Sequence, residues 1–169
     1  MGLWWGRSAA LALGVAASGV GLTACFAREQ AGRATGPPQT LPVTARWCLE
    51  PAKGPVCIGL EVADTPQQQA WGLQMRPRLP ALRGMWFPNA MPSPLRFWMH
   101  RTPEPLDIIF LRQGRVIAIA AAIPCMRLPC PTYGPDEPAD GVVELAAGEA
   151  KRLGIQVGRP ATIERIPPP

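Results

Sequence analysis

The chain has 169 residues, with 17 Lys and Arg against 12 Asp and Glu, a single histidine, 22 prolines and 17 glycines. The net charge of +5 is spread along the chain and not gathered into a basic stripe with interleaved aromatics, which argues against a nucleic-acid partner. One histidine leaves zinc and Ser-His centres short of partners, and no glycine-rich phosphate loop, internal repeat or heptad pattern is present, so neither a metal nor a cofactor is expected.

Arg7 is the only charge before Arg28, and Ala9 to Val20 is an apolar run of signal-sequence length, short for a bilayer span. It ends at Leu22-Thr23-Ala24-Cys25, which resembles the bacterial lipobox, where the cysteine is lipidated and becomes the new N-terminus. Residues 1–24 are therefore expected to be a lipoprotein signal peptide. Cys25 is the expected lipidation site, and the protein is expected to be exported and anchored to a bacterial membrane, facing the periplasm or exterior. An ordinary secretory signal with an incidental Cys25 is the competing reading. Loss of Arg7 with the leader lowers the net charge from +5 to +4.

Residues 25–41 are polar and punctuated by Pro and Gly, the composition of a flexible tether. Residues 42–166 suffice for one domain with one core, and 167–169 are a proline tail. Four cysteines remain for the domain, an even number in an exported chain, and chain proximity favours Cys48 with Cys57 and Cys125 with Cys130. Their spacings fit neither a four-cysteine zinc site nor a C-x-x-C dithiol.

Val43 to Leu49 and Val56 to Ala63 read as a β-hairpin with a broad turn. Thr65-Pro66-Gln67-Gln68 gives a capping box with proline at the first helical position, predicting a helix to about Met75. Gly84 to Phe87 is a short apolar strand, and Pro88 to Pro94, with three prolines, is expected to be an exposed loop. Leu95 to Met99 and Leu106 to Leu111 read as strands joined at a stiff corner, and Gln113-Gly114 turns into a strand from Arg115 to Ile123. Gly141 to Leu145 is a strand, Ala146 to Leu153 a short helix stopped by Gly154, and Ile155–Val157 and Ala161–Ile166 close the domain. The resulting class is α+β and β-dominated: a single domain with a strongly bent sheet or partly closed barrel and two short helices.

Gly72-Leu73 with Arg76, Leu79-Pro80, Gly84-Met85 with Phe87, Phe97-Trp98-Met99, Thr102, Pro105 to Phe110, Pro124-Cys125, Cys130, Tyr133, Glu144-Leu145 and Gly158 form a series along the domain. Together these pieces resemble the DUF192 (UPF0127) family. They span roughly residues 56–159 in the family's order. The resemblance implies a small β-rich exported or lipid-anchored protein and brings no activity with it. This chain departs from the family at Gln74-Met75, at His100-Arg101 and at Ala81-Leu82-Arg83.

Asp107, a carboxylate entering an apolar strand, is the first candidate for acid–base chemistry, with Glu144 as its possible partner in a glycosidase-like pair. The plainer readings make Asp107 a fold-locking acceptor or the partner of Arg76, and Glu144 a solvated strand residue. Arg76, Trp98, Met99, Thr102, Asp107 and Tyr133 are the candidate binding residues, aromatic rings beside polar groups being a ligand platform. His100 has no companion for catalysis. The sequence thus leads to a non-catalytic envelope module that binds a glycan, peptide or protein partner, with a hydrolase acting on an envelope glycan as the alternative.

Overall fold

Alternating apolar residues drive seven of nine strands into one mixed sheet. The computed structural model describes residues 36–50 and 54–168; the leader, Cys25 and the tether as far as residue 35 lie outside the described residues. The elements are β1 (Val43–Leu49), β2 (Val56–Val62), α1 (Pro66–Trp71), β3 (Arg83–Ser93), β4 (Phe97–Trp98), β5 (Leu106–Arg112), β6 (Arg115–Ala122), β7 (Thr132–Tyr133), β8 (Ala139–Ala146), α2 (Glu149–Arg152) and β9 (Ile163–Arg165). The main sheet runs β6-β5-β8-β3-β2-β1-β9, and β4 pairs with β7 in a separate ribbon. All ladders of the main sheet are antiparallel except β2 with β3, where the connection through α1 crosses over.

The sheet buries both faces, because strand residues alternate sides. One face carries Ala45, Trp47, Ile58, Leu60, Ile109, Val143 and Leu145 and is covered by Ala150, Leu153, Ile155 and Ala161. The other carries Met85, Phe87, Ile108, Phe110 and Val142 and is covered by Leu73, Leu79 and Met99. Both clusters and both disulfides lie within residues 36–168, so this segment carries its own core. The bridges join Cys48 to Cys57 across the first hairpin and Cys125 to Cys130, the pairs that chain proximity favours.

Several boundaries differ from expectation for local reasons. The capping box at Thr65 and Gln68 is formed, but α1 stops at Trp71 and not near Met75, since Gly72 takes φ +52° and turns the backbone. Strand β3 continues through Pro88 and Pro92 to Ser93, where an exposed loop was expected. The proline nitrogens are tolerated because the ladder to β2 ends at Trp86, so the second half of β3 needs no donors on that side. The strand expected over Leu95–Met99 shortens to Phe97–Trp98, which leaves the main sheet to pair with β7. Helix α2 is a four-residue turn, Ile155–Val157 is not a strand, and the main sheet is open, with β6 and β9 as edges, so no barrel forms.

Gly84 on β3 sits between Leu60 of β2 and Leu145 of β8 with no room for a side chain. An added Cβ would lie 2.5 Å from Leu145 Cδ2 and 2.8 Å from the Glu144 carbonyl oxygen. Backbone cannot step aside, so Gly84→Ala is expected to lower unfolding free energy by about 1–3 kcal/mol in a denaturant titration.

Candidate functional site

Strand register decides which acids meet. Glu144 on β8 stands beside Met85 of β3 and Ile108 of β5, and Met85 stands beside Glu61 of β2. Glu61, Met85, Glu144 and Ile108 thus form one row across the same face. Asp107 pairs with Leu145, one position along, and so points to the opposite face.

Two of these glutamates are buried in the same row and are handled differently. Glu61 Oε2 accepts from Arg76 Nη1 at 2.7 Å and from the Leu41 backbone N–H at 2.8 Å. Both side chains of this ion pair are nearly enclosed, and Arg76 also donates to the Gln39 carbonyl. Glu144 is 4% exposed and has no hydrogen bond or ion pair in the described structure. Loss of hydration with no compensating charge raises its pKa from 4.5 to about 8, so at neutral pH it is a neutral carboxylic acid.

Glu144 forms part of the lining of a small open pocket of about 40 Å³, with Gln69 to Gln74, Phe87, Phe97, Trp98 and Thr102. The capping box and the turn at Gly72 deliver Trp71 and Gln74 to it, and β4 delivers Phe97 and Trp98. Phe87 and Phe97 meet edge to face with centroids 5.0 Å apart. Gln74 donates to the Ala70 carbonyl through Nε2, which leaves its Oε1 without a partner, as is the Thr102 hydroxyl. The Nε1 of Trp71 is buried and also without a partner. Gln74 and Thr102 are each followed or preceded by a left-handed non-glycine residue, Met75 at φ +62° and Arg101 at φ +58°, joined by a 2.8 Å Met75 N–H to Arg101 carbonyl bond. Of these lining residues only Glu144 titrates in the ordinary pH range.

A larger cavity of about 660 Å³ lies between Trp47–Glu50 and Leu153–Pro160. Trp47 Nε1 is buried there without a partner, but the wall holds no buried ionisable side chain and adjoins residues 51–53, which are outside the described residues. No group of three or more potential metal ligands occurs among the described residues.

Comparison with known proteins follows the same architecture. The DUF192 family, described as Uncharacterized ACR, matches residues 48–163. The chain belongs to the DUF192 family. It is similar to a solved structure from Sinorhizobium meliloti 1021, described as a "putative transcription regulator", at 30% identity and TM-score 0.64, covering 75% of this chain and 97% of that one. A protein of unknown function from Novosphingobium aromaticivorans DSM 12444 is similar at 32% identity and TM-score 0.61, covering 79% and 95%. No curated protein matches.

Within this DUF192 domain the sequence candidates separate. Trp98 and Thr102 reach the pocket, Trp98 with 46% of its surface exposed. Met99 is fully buried in the core and presents no surface to a ligand. Tyr133 pairs with Phe97 and its hydroxyl accepts from the Ile123 N–H. Arg76 pairs with Glu61 and not with Asp107. Asp107 is buried and its Oδ2 accepts from the Ala150 N–H at 2.8 Å, fastening the first turn of α2. It is therefore a fold-locking residue, and the Asp107–Glu144 acid pair of the hydrolase reading is not built, because the two lie on opposite faces of the sheet. His100 forms a bridge with Cys125 and stacks obliquely near Trp98 at 5.2 Å. Glu144 is buried, not the solvated strand residue of the plainer reading, and Gln74 and Trp71 join the site.

Two outcomes test this electrostatic assignment. Arg76→Met strands Glu61 and should destabilise by about 3–5 kcal/mol, while Arg76→Met with Glu61→Leu should recover much of that in equilibrium unfolding. For Glu144 the unfolded chain ionises near 4.5 and the folded one only near 8, so the native state binds the extra proton between those values. Stability should fall as pH rises from about 4.5 to 8 and level off above, by a few kcal/mol at most. Denaturant midpoints for Glu144→Gln, which cannot ionise, should lack this slope.

Proposed function

We propose that this DUF192 protein is an exported, lipid-anchored envelope module that binds a ligand without transforming it, through the pocket over Glu144. The observation carrying the reading is the concentration of polar groups without a protein partner in one opening: the Glu144 carboxyl, Thr102 hydroxyl and Gln74 Oε1. Largely buried polar side chains ordinarily find protein partners, so three without one beside exposed Trp98 fit a surface completed by a ligand. A binding role is favoured over catalysis because the three acids buried in the sheet are dispersed: Glu61 is held by Arg76, Asp107 by Ala150, and Glu144 stands without a second acid or base in its lining. Two disulfides suit an oxidising compartment, and Leu22 to Cys25 supports the lipid anchor at Cys25.

Thermal-shift screening of residues 36–168 against envelope sugars, short peptides and metal salts tests the reading. A ligand at a hundred times its Kd should add about 2.7 kcal/mol of apparent stability. The shift should shrink in Trp98→Ala and Thr102→Val; a shift unaffected by both, or none from any class, would refute the pocket.

A further inference from the structure

We propose that the pocket over Glu144 receives the acetamido group of an N-acetylated amino sugar. This rests on the binding-module reading and narrows it to one ligand class.

Size sets the first limit. A cavity needs roughly 10–15 Å³ to hold one water, so about 40 Å³ takes a group of a few heavy atoms and excludes a ring. Whatever enters must be the tip of something larger, with the rest outside. The half-exposed Trp98 indole stands among the lining residues, and an indole face is an apolar platform of the breadth that a pyranose ring covers.

The interior sets the second. The Thr102 hydroxyl supplies a donor, Gln74 Oε1 supplies an acceptor, and a protonated carboxyl supplies both. An amide matches this set, offering one carbonyl acceptor and, on the opposite side of its planar trans C–N bond, one N–H donor. Leu73, Phe87 and Phe97 complete the lining with an apolar wall against which a methyl group buries favourably. A carboxylate ligand would find no cation in the lining, and an ammonium group could pair only by ionising Glu144 in a lining that holds no other charge.

Charge neutrality extends to each element packed around Glu144. Beside it stand Met85 on β3 and Ile108 on β5; above it lie Gln69 to Gln74, Phe97 and Trp98, and Thr102, none of which is ionisable in the working range. The nearest charged side chain along the row is Glu61, two strands away and neutralised by Arg76. His100, beside Trp98, and Arg101, next to Thr102, flank the opening and are outside the lining. Ionising Glu144 therefore places a lone carboxylate against the ligand carbonyl.

The test compares three probes on residues 36–168 by calorimetric titration: a β-linked dimer of N-acetylglucosamine, the same dimer deacetylated, and an N-acetylated, amide-capped alanine that carries the acetamido group without a sugar. The acetylated dimer should bind, and the deacetylated one on the order of tenfold or more weakly, the loss expected when an amide's buried contacts are removed. Glu144→Gln, which keeps a donor and an acceptor, should bind within a few-fold of wild type; Glu144→Leu should lose on the order of tenfold, with folding of each variant verified by its thermal transition. Above pH 8 wild-type affinity should fall while that of Glu144→Gln stays level. Equal binding of the acetylated and deacetylated dimers, stronger binding of the capped alanine than of the sugar, or full binding by Glu144→Leu would each overturn the assignment. If other classes shift stability and the acetylated sugar does not, this inference falls and the binding module stands; if nothing binds, both fall.

Discussion

The register of β8 between β3 and β5 is the constraint from which the rest of the molecule follows. Because side chains alternate at every residue, that register sends Glu144 to the face covered by the 69–102 segment and Asp107 to the face covered by α2. Asp107 then finds the Ala150 amide and becomes part of the frame. Glu144 meets Met85, Ile108 and the aromatic rings and finds no partner. Two carboxylates one ladder position apart thus acquire unrelated roles.

The same row contains both solutions to burying an acid. Transfer of an ionised carboxylate from water is too costly to go uncompensated, so a buried acid is either paired with a cation or held neutral. Glu61 takes the first course, with a guanidinium and a backbone amide on one oxygen, and in doing so ties residues 39–41 to β2 and to the segment after α1. Glu144 takes the second. The expected tether therefore ends in contact with the domain, since Gln39 also donates to the Gln68 and Gly72 carbonyls at the C-terminal end of α1.

Much of the frame was legible in the sequence because it is locally encoded. The Gln113-Gly114 turn, with φ of +49° and +68°, the Thr65 capping box, both disulfides and the family motifs all rest on residues close in the chain. The site was not legible in the same way. Val143-Glu144-Leu145 has the alternation of a strand with one wet face, and only the packing of distant Leu73, Met99 and Phe97 over that face turns it dry. Prolines at 88 and 92 signalled a break, yet what matters is whether a neighbouring strand requires the missing donor, which depends on where β2 ends. Met99 was placed with Trp98 and Thr102 by proximity, whereas the turn at Thr102, whose N–H bonds back to the Met99 carbonyl, sends it into the core.

An open sheet exposes two edges, each a template onto which another chain could add a strand. Strand β9 is only three residues long and carries Glu164 and Arg165, the first in an ion pair with Arg46 and the second with Asp64. At the other edge, the start of β6 is occupied by the chain on its way to β9: Val116 donates to the Arg159 carbonyl, Gly158 donates back to Val116, and Ala161 donates to Gly114. What remains of that edge is Ala118 to Ala122, of which only Ile119 has a strong preference for strands. A second copy of the domain would therefore find little bare ladder to add to at either edge, and the residues that close off both edges, 158–165, all come from the last stretch of the domain.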